Sequence, residues 1–138
     1  MKKKILVLGG NGYIGSEFIN SYKHIYNLIN YDNFWFKKSI PSNIKSIKDN
    51  VLNIQNYKIK NIDTILYLAN IANDPTSLLD SKLSWETNVL ASMFVCEFAI
   101  QNKIKNIIYF SSGSVYGISK SKKVTEDHPL KPISDYNK

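Results

Sequence analysis

The chain has 138 residues, 43% of them apolar and 21% charged, which is the composition of one folded domain and leaves little room for a second. No apolar run approaches the ~20 residues that cross a bilayer, and the single cysteine, Cys96, excludes an internal disulfide and any metal site built from cysteines. The net charge of +7 raises nucleic acid as a partner, but there is no arginine, and the excess of lysine is spread over a chain in which Lys, Ile and Asn together make 53 residues, so that class is set aside.

Residues 4–8 are a short apolar run ending in glycines, which predicts a buried strand. Ile14, Phe18, Ile19 and Tyr22 recur at helical spacing and predict a helix over 13–23. A second strand is expected over 26–31, a polar loop with Pro41 over 37–42, a weaker third strand over 44–51 and a helical turn over 54–58. The run 63–69, bounded by Asn61 and by Asn73-Asp74-Pro75, is the fourth strand. The longest helix is expected over 84–101 and a fifth strand over 106–110; from Gly117 the chain reads as loop.

There is no repeat and no linker. Alternating strands and helices with near-continuous apolar strands imply a parallel sheet covered on both faces, an α/β Rossmann-type doubly wound domain with strand order 3-2-1-4-5. On the long helix, Trp85, Val89, Met93, Cys96 and Ile100 form a stripe that Leu90, Phe94 and Phe98 widen. That face is broader than one sheet contact needs. It fits a helix deep in a core, and it equally fits a helix that also meets a partner subunit, as in a homodimer.

Three motifs carry chemistry. Gly9, Gly12 and Gly15 lie between strand one and helix one, where glycine permits a tight turn, close approach of a pyrophosphate and close helix–strand contact. The phosphates of a dinucleotide would sit on the free amides of the helix N-terminus. Asp32 ends strand two, 23 residues after Gly9, where a carboxylate meets adenosine ribose hydroxyls and repels a 2′-phosphate, favouring NAD over NADP. Lys37 and Lys38 act as a counterweight, because they could neutralise such a phosphate. The hydroxyl-rich segment 111–117, Ser-Ser-Gly-Ser-Val-Tyr-Gly, follows strand five at the carboxyl edge where open parallel sheets bind ligands, although a Ser/Gly turn would also end a strand.

Together with Asp32-Asn33, Leu68-Ala69, Asn88 and Pro132-Ile133-Ser134-Asp135-Tyr136, these motifs resemble the extended short-chain dehydrogenase/reductase family. More narrowly, they resemble its NAD-dependent nucleotide-sugar epimerases and dehydratases. The resemblance covers the whole chain. It implies NAD as cofactor, with Gly9, Gly12 and Gly15 as the glycine loop and Tyr13 and Ile14 lining the pyrophosphate. Asp32 and Asn33 would hold the adenosine ribose, and Asn50-Val51 would contact adenine, with Asn50 standing where the family has an acid. Leu68 and Ala69 would pass beside the cofactor, and Asn88 would lie near the nicotinamide end. Ser112 would be the active-site hydroxyl and Tyr136 the tyrosine base; no metal is implied.

Two departures stand out. Leu8 replaces the usual threonine before the glycines, and the lysine of the Tyr-x-x-x-Lys motif would fall at position 140, whereas Lys138 is only two residues after Tyr136. The family's carboxyl-terminal sugar-binding region has no counterpart. The expectation is therefore the amino-terminal part of a nucleotide-sugar epimerase or dehydratase, with little activity alone. A sugar reductase and a non-catalytic dinucleotide-binding or interaction module are the alternatives. The lysine-rich start followed by a short apolar run is a poor leader sequence, so a cytoplasmic location is expected, with no membrane partner.

Overall fold

The computed structural model describes residues 2–36 and 40–137. Five strands, β1 (Lys4–Leu8), β2 (Asn27–Asp32), β3 (Lys45–Lys48), β4 (Thr64–Tyr67) and β5 (Asn106–Tyr109), form one sheet in the order β3-β2-β1-β4-β5. Every pairing is parallel; Leu6 of central β1 lies between Ile29 of β2 and Ile65 of β4. The predicted Rossmann-type order and direction are both present.

Strand alternation divides the core in two. Leu6, Leu8, Ile29, Tyr31, Ile65 and Tyr67 point to one face, where they meet helix α4 (Ala91–Gln101) through Ala91, Val95, Phe98 and Ala99, and the 3₁₀ turn Val51–Asn56 through Val51 and Ile54. Ile5, Val7, Leu28 and Leu66 point to the other face and pack on Ile19 of helix α1 (Tyr13–Tyr22), with Ile40 and Ile44. β5 is an edge strand whose four residues are all exposed.

Three boundaries differ from expectation. β3 stops at Lys48 because the side chain of Asn50 accepts the Leu52 N–H at 3.0 Å and starts the 3₁₀ turn earlier than 54–58. Asn73-Asp74-Pro75, read as the boundary of strand four, starts a helix. Asn73 Oδ1 caps the Thr76 N–H at 2.8 Å and Pro75 stands in the first turn of α2 (Asp74–Leu79), which α3 (Ser81–Trp85) follows. The long helix is also not one α-helix from 84: a π-helical turn, Glu86–Leu90, joins α3 to α4.

The apolar stripe lies away from the sheet. Trp85, Val89, Met93, Cys96 and Ile100 face outward, with Met93 61% and Ile100 77% exposed, while Ala91, Val95, Phe98 and Ala99 take the sheet. The deep-core reading of the stripe is thereby overturned. No helix among the described residues is long and apolar enough to cross a membrane.

Candidate active site

The carboxyl ends of β1, β2 and β4 open into a cleft lined by Gly9, Gly12, Asp32, Asn33, Asn50, Val51, Leu68 and Ala69, eight of the expected cofactor residues. Gly9 turns the chain out of β1 with φ +85°, and a Cβ there would stand 2.7 Å from the Ala69 nitrogen, so both the turn and the approach of Leu68-Ala69 require glycine. At Gly15 a Cβ would lie 2.4 Å from the Gly9 oxygen, which fixes α1 hard against the loop. Gly12 differs from these two. A Cβ there would meet only the Gly9 oxygen, at 3.3 Å, and the helix it opens has no side-chain cap and no acid in its first turn. The protein itself leaves the space before α1 bare. Tyr13 and Ile14 begin that helix and project into solvent rather than lining the cleft.

Asp32 is buried, and its carboxylate is held from two sides. Oδ2 accepts the Asn11 N–H of the glycine loop at 2.9 Å, and Oδ1 accepts the Phe34 N–H at 2.6 Å. Asn33 Oδ1 accepts the Trp35 N–H at 3.1 Å. Beneath the loop, Asn30, fully buried in β2, donates from Nδ2 to Asn11 Oδ1 at 3.1 Å. Asn11 Nδ2 and Asn30 Oδ1 have no hydrogen-bond partner among the described residues. Beyond β3, Asp49 accepts from the Asn50 N–H, the Asn53 amide and the Tyr57 hydroxyl. The Asn53 bond leads, with Tyr57 and the Asn50 N–H adding, in holding its carboxyl below the usual range. Tyr31 donates to the Asn50 carbonyl at 2.9 Å, and burial drives its phenol well above the ordinary value. Lys37, Lys38 and Lys138 lie outside the described residues.

A second cleft opens between β4 and β5. Ser112 and Tyr136 both line it, with Asn70, Asn88, Tyr109 and Val115, so the two expected catalytic residues share one cavity although 24 positions separate them. Their union has a visible cause. Ser112 Oγ lies 2.6 Å from Ser114 Oγ, which donates to Asn137 Oδ1, next to Tyr136. Ser134 donates to the Asp74 carboxylate at the start of α2, and the Lys131 N–H bonds the Val115 carbonyl at 2.9 Å. Gly117, at φ +63°, lets the tail return this closely; a Cβ there would stand 2.0 Å from the Lys131 oxygen.

Asn88 sits in the π-helical turn and grips the backbone of Ile71 twice, accepting its N–H at 2.8 Å and donating to its carbonyl at 3.0 Å. Asn70 lines both clefts and so marks their junction. Although Tyr109 is partly exposed, partial desolvation of its phenol raises it above the ordinary value; a bond from Asn70 opposes this and the nearby Tyr136 adds to it. Sequence reasoning did not single out Asn11, Asn30, Asn70, Tyr109, Trp35 or Asp49. A lone Asn inside an apolar strand, as at position 30, was the one available signal. Among the described residues no group of three or more His, Cys, Asp or Glu could hold a metal ion.

Several known proteins are similar to this chain. A UDP-glucose 4-epimerase of Lactobacillus helveticus is 28% identical over 140 residues, covering 96% of this chain and 42% of the relative. An N-acetyl-alpha-D-glucosaminyl-diphospho-ditrans,octacis-undecaprenol 4-epimerase of Escherichia coli O157:H7 is 31% identical, covering all of this chain and 40% of the relative. Among solved structures, a UDP-N-acetylglucosamine 4-epimerase from Methanobrevibacter ruminantium superposes with TM-score 0.90 at 27% identity, covering 99% of this chain and 47% of that one. MoeE5 in complex with UDP-glucose and NAD superposes at 0.84 and 27% identity, covering 97% of this chain and 44% of that one. The chain thus spans under half the length of these relatives. The profile of the NAD dependent epimerase/dehydratase family matches residues 5–138, and the chain belongs to that family.

Proposed function

We propose that these residues form the dinucleotide-binding part of an NAD-dependent nucleotide-sugar epimerase or dehydratase, with Ser112 and Tyr136 as catalytic groups. The observation that carries this reading is the junction at Asn70. A cleft with a bare helix N-terminus and a ribose-type carboxylate runs into a second cleft holding a serine and a tyrosine. The family resemblance and the UDP-sugar names of the relatives support the substrate class.

The residues fit NAD. Gly12 is held free of a side chain by only one atom of the fold, the Gly9 oxygen, α1 offers uncapped amides for phosphate, and Asp32 presents a carboxylate unsuited to a 2′-phosphate, which favours NAD over NADP. Gly9, Gly15, Tyr13 and Ile14 shape or flank that phosphate site. Asn33 accompanies Asp32 at the ribose, Asn50 and Val51 lie at the base end, and Leu68, Ala69 and Asn88 line or brace the path toward the reaction end. When bound, NAD supplies the hydride acceptor.

The chain's own part is proton handling and positioning. Tyr136 takes the proton of the sugar hydroxyl, and Ser112 hydrogen-bonds that oxygen. The Ser112–Ser114–Asn137 chain holds the two in register. A phenol of pKa about 10 ionises near neutral pH only with a cation beside it, which is the service the family motif assigns to position 140. A homodimer through the outward stripe of 84–101, a cytoplasmic location, and a sugar nucleotide rather than nucleic acid or membrane as partner complete the proposal.

The test is calorimetric titration of the 138-residue chain with NAD, beside turnover of UDP-, dTDP- and GDP-sugars by this chain and by a form extended to the relatives' length. NAD binding, with turnover only in the long form and a roughly 10²–10⁴-fold loss in Tyr136→Phe, is expected. Absence of NAD binding, or full turnover in Tyr136→Phe, defeats it.

A further inference from the structure

We propose that Trp35 is the platform on which the purine of the bound dinucleotide stacks, so that this end of the cleft grips its ligand by an aromatic face and selects weakly for base identity. The inference rests on the dinucleotide reading above. The first ground is position. Trp35 follows Asp32 by three residues, lines the same cleft, and lies on its β2–β3 side, away from Ser112 and Tyr136. A base attached to a ribose held at Asp32 and pointing away from the reaction end arrives there.

The second ground is surface. Trp35 is 58% and Phe36 67% exposed, adjacent large aromatic groups left open along a cleft wall. Such surface gains free energy when a flat apolar partner covers it.

The third ground is chemical. The side-chain acceptors at this end that could read a base edge are already bonded within the protein. Both Asp49 oxygens accept protein donors, the Tyr31 hydroxyl donates to the Asn50 carbonyl, and Asn50 Oδ1 accepts the Leu52 N–H. Beyond the Asn50 amide donor, what this end has to spare is an aromatic face, and every purine has one of its own to offer. The wall is also tied to the ribose site. Asp32 itself accepts the Phe34 N–H, Asn33 accepts the Trp35 N–H, and Phe34 adopts φ +61°, a conformation rare for a bulky residue.

The experiment uses the Trp85→Phe chain, in which Trp35 is the sole tryptophan, titrated by fluorescence with NAD, ADP, nicotinamide hypoxanthine dinucleotide and nicotinamide mononucleotide. The three purine ligands should quench Trp35 saturably and the mononucleotide should not. The hypoxanthine analogue should bind within about threefold of NAD. Trp35→Ala, followed by calorimetry, should weaken NAD and ADP by the same factor, roughly 5- to 150-fold for one stacked base, and Trp35→Phe should retain most of the affinity. ADP binding to Trp35→Ala within about twofold of the parent, or saturable ADP binding without quenching, overturns the platform while leaving the dinucleotide reading intact. Failure of the parent to bind either NAD or ADP overturns both.

Discussion

Replacing Gly12 with serine should separate binding from folding. Gly12 is the N-cap of α1, extended at φ −70° and ψ 174°, and nothing caps the helix. Serine is among the preferred N-caps and differs from glycine there by only a few tenths of a kcal/mol. Its Cβ would press on one atom, the Gly9 oxygen at 3.3 Å, a contact relieved by a shift of a few tenths of an ångström. The two effects oppose, so Gly12→Ser should unfold within roughly 0.5 kcal/mol of the parent. Gly15→Ala should behave differently. Its Cβ would stand 2.4 Å from the Gly9 oxygen and 2.7 Å from Gly10 Cα, both backbone atoms, and overpacking of this kind costs about 1–3 kcal/mol.

Binding should sort the pair the other way. A serine side chain occupies the space before α1 and offers its oxygen to the amides a phosphate would use. Losing one charge-assisted hydrogen bond is worth about 1.5–3 kcal/mol, roughly 10- to 150-fold in affinity. Urea unfolding gives the stabilities, and calorimetry with NAD gives the affinities. Gly12→Ser should be as stable as the parent and bind NAD at least about tenfold more weakly. If it is destabilised as much as Gly15→Ala, or keeps its NAD affinity, the division of labour among the glycines is wrong.

Asp32→Ala should weaken NAD and shift preference toward NADP in paired titrations; it should also cost about 1–3 kcal/mol, because the Asn11 and Phe34 N–H groups lose their acceptor. The acid limb of stability should contain Asp49. Its folded carboxyl lies below the ordinary 3.8, so its contribution is present above that value and fades as pH falls through the folded pKa. Asp49→Asn should flatten the stability profile below about pH 4, and an unchanged acid limb counts against the hydrogen-bond cluster. Ile108→Lys on edge strand β5 should reduce concentration-dependent association in sedimentation experiments, since Ile107, Ile108 and Phe110 are exposed beside an open strand edge; equal association in both forms would mean another surface is responsible.

The sheet was legible because its signal is local. Each strand is a short apolar run, and the crossover rule converts alternating elements into one order. The Ser112–Tyr136 pairing was legible only through family resemblance, since the bonds that create it run from Ser114 to Asn137 and from Ser134 to Asp74. The outward turn of Trp85, Met93 and Ile100 could not be read from a 3.6-residue period, because the period groups residues on a face without saying whether that face or the one carrying Ala91, Val95, Phe98 and Ala99 meets the sheet. Asn30 illustrates a different limit. Its sequence neighbours predict a buried strand, which is correct, but its partner Asn11 lies in another element, and no periodicity announces such a pair.

The strand order also sets when the glycine loop can acquire its shape. β1 receives one neighbour, β2, early, but its other neighbour is β4, and Leu8 pairs there with Tyr67. The wall against which Gly9 is packed, Leu68 and Ala69, follows directly. At roughly 5–20 residues per second of synthesis, several seconds pass between the emergence of the glycine loop and that of the segment that shapes it. On the proposed dinucleotide reading, the amino-terminal glycines would not recruit the ligand as a folding template for the first half of the sheet. Ligand capture would then wait until the chain has crossed back over β1, and stabilisation by NAD would reach the nascent domain as a late lock.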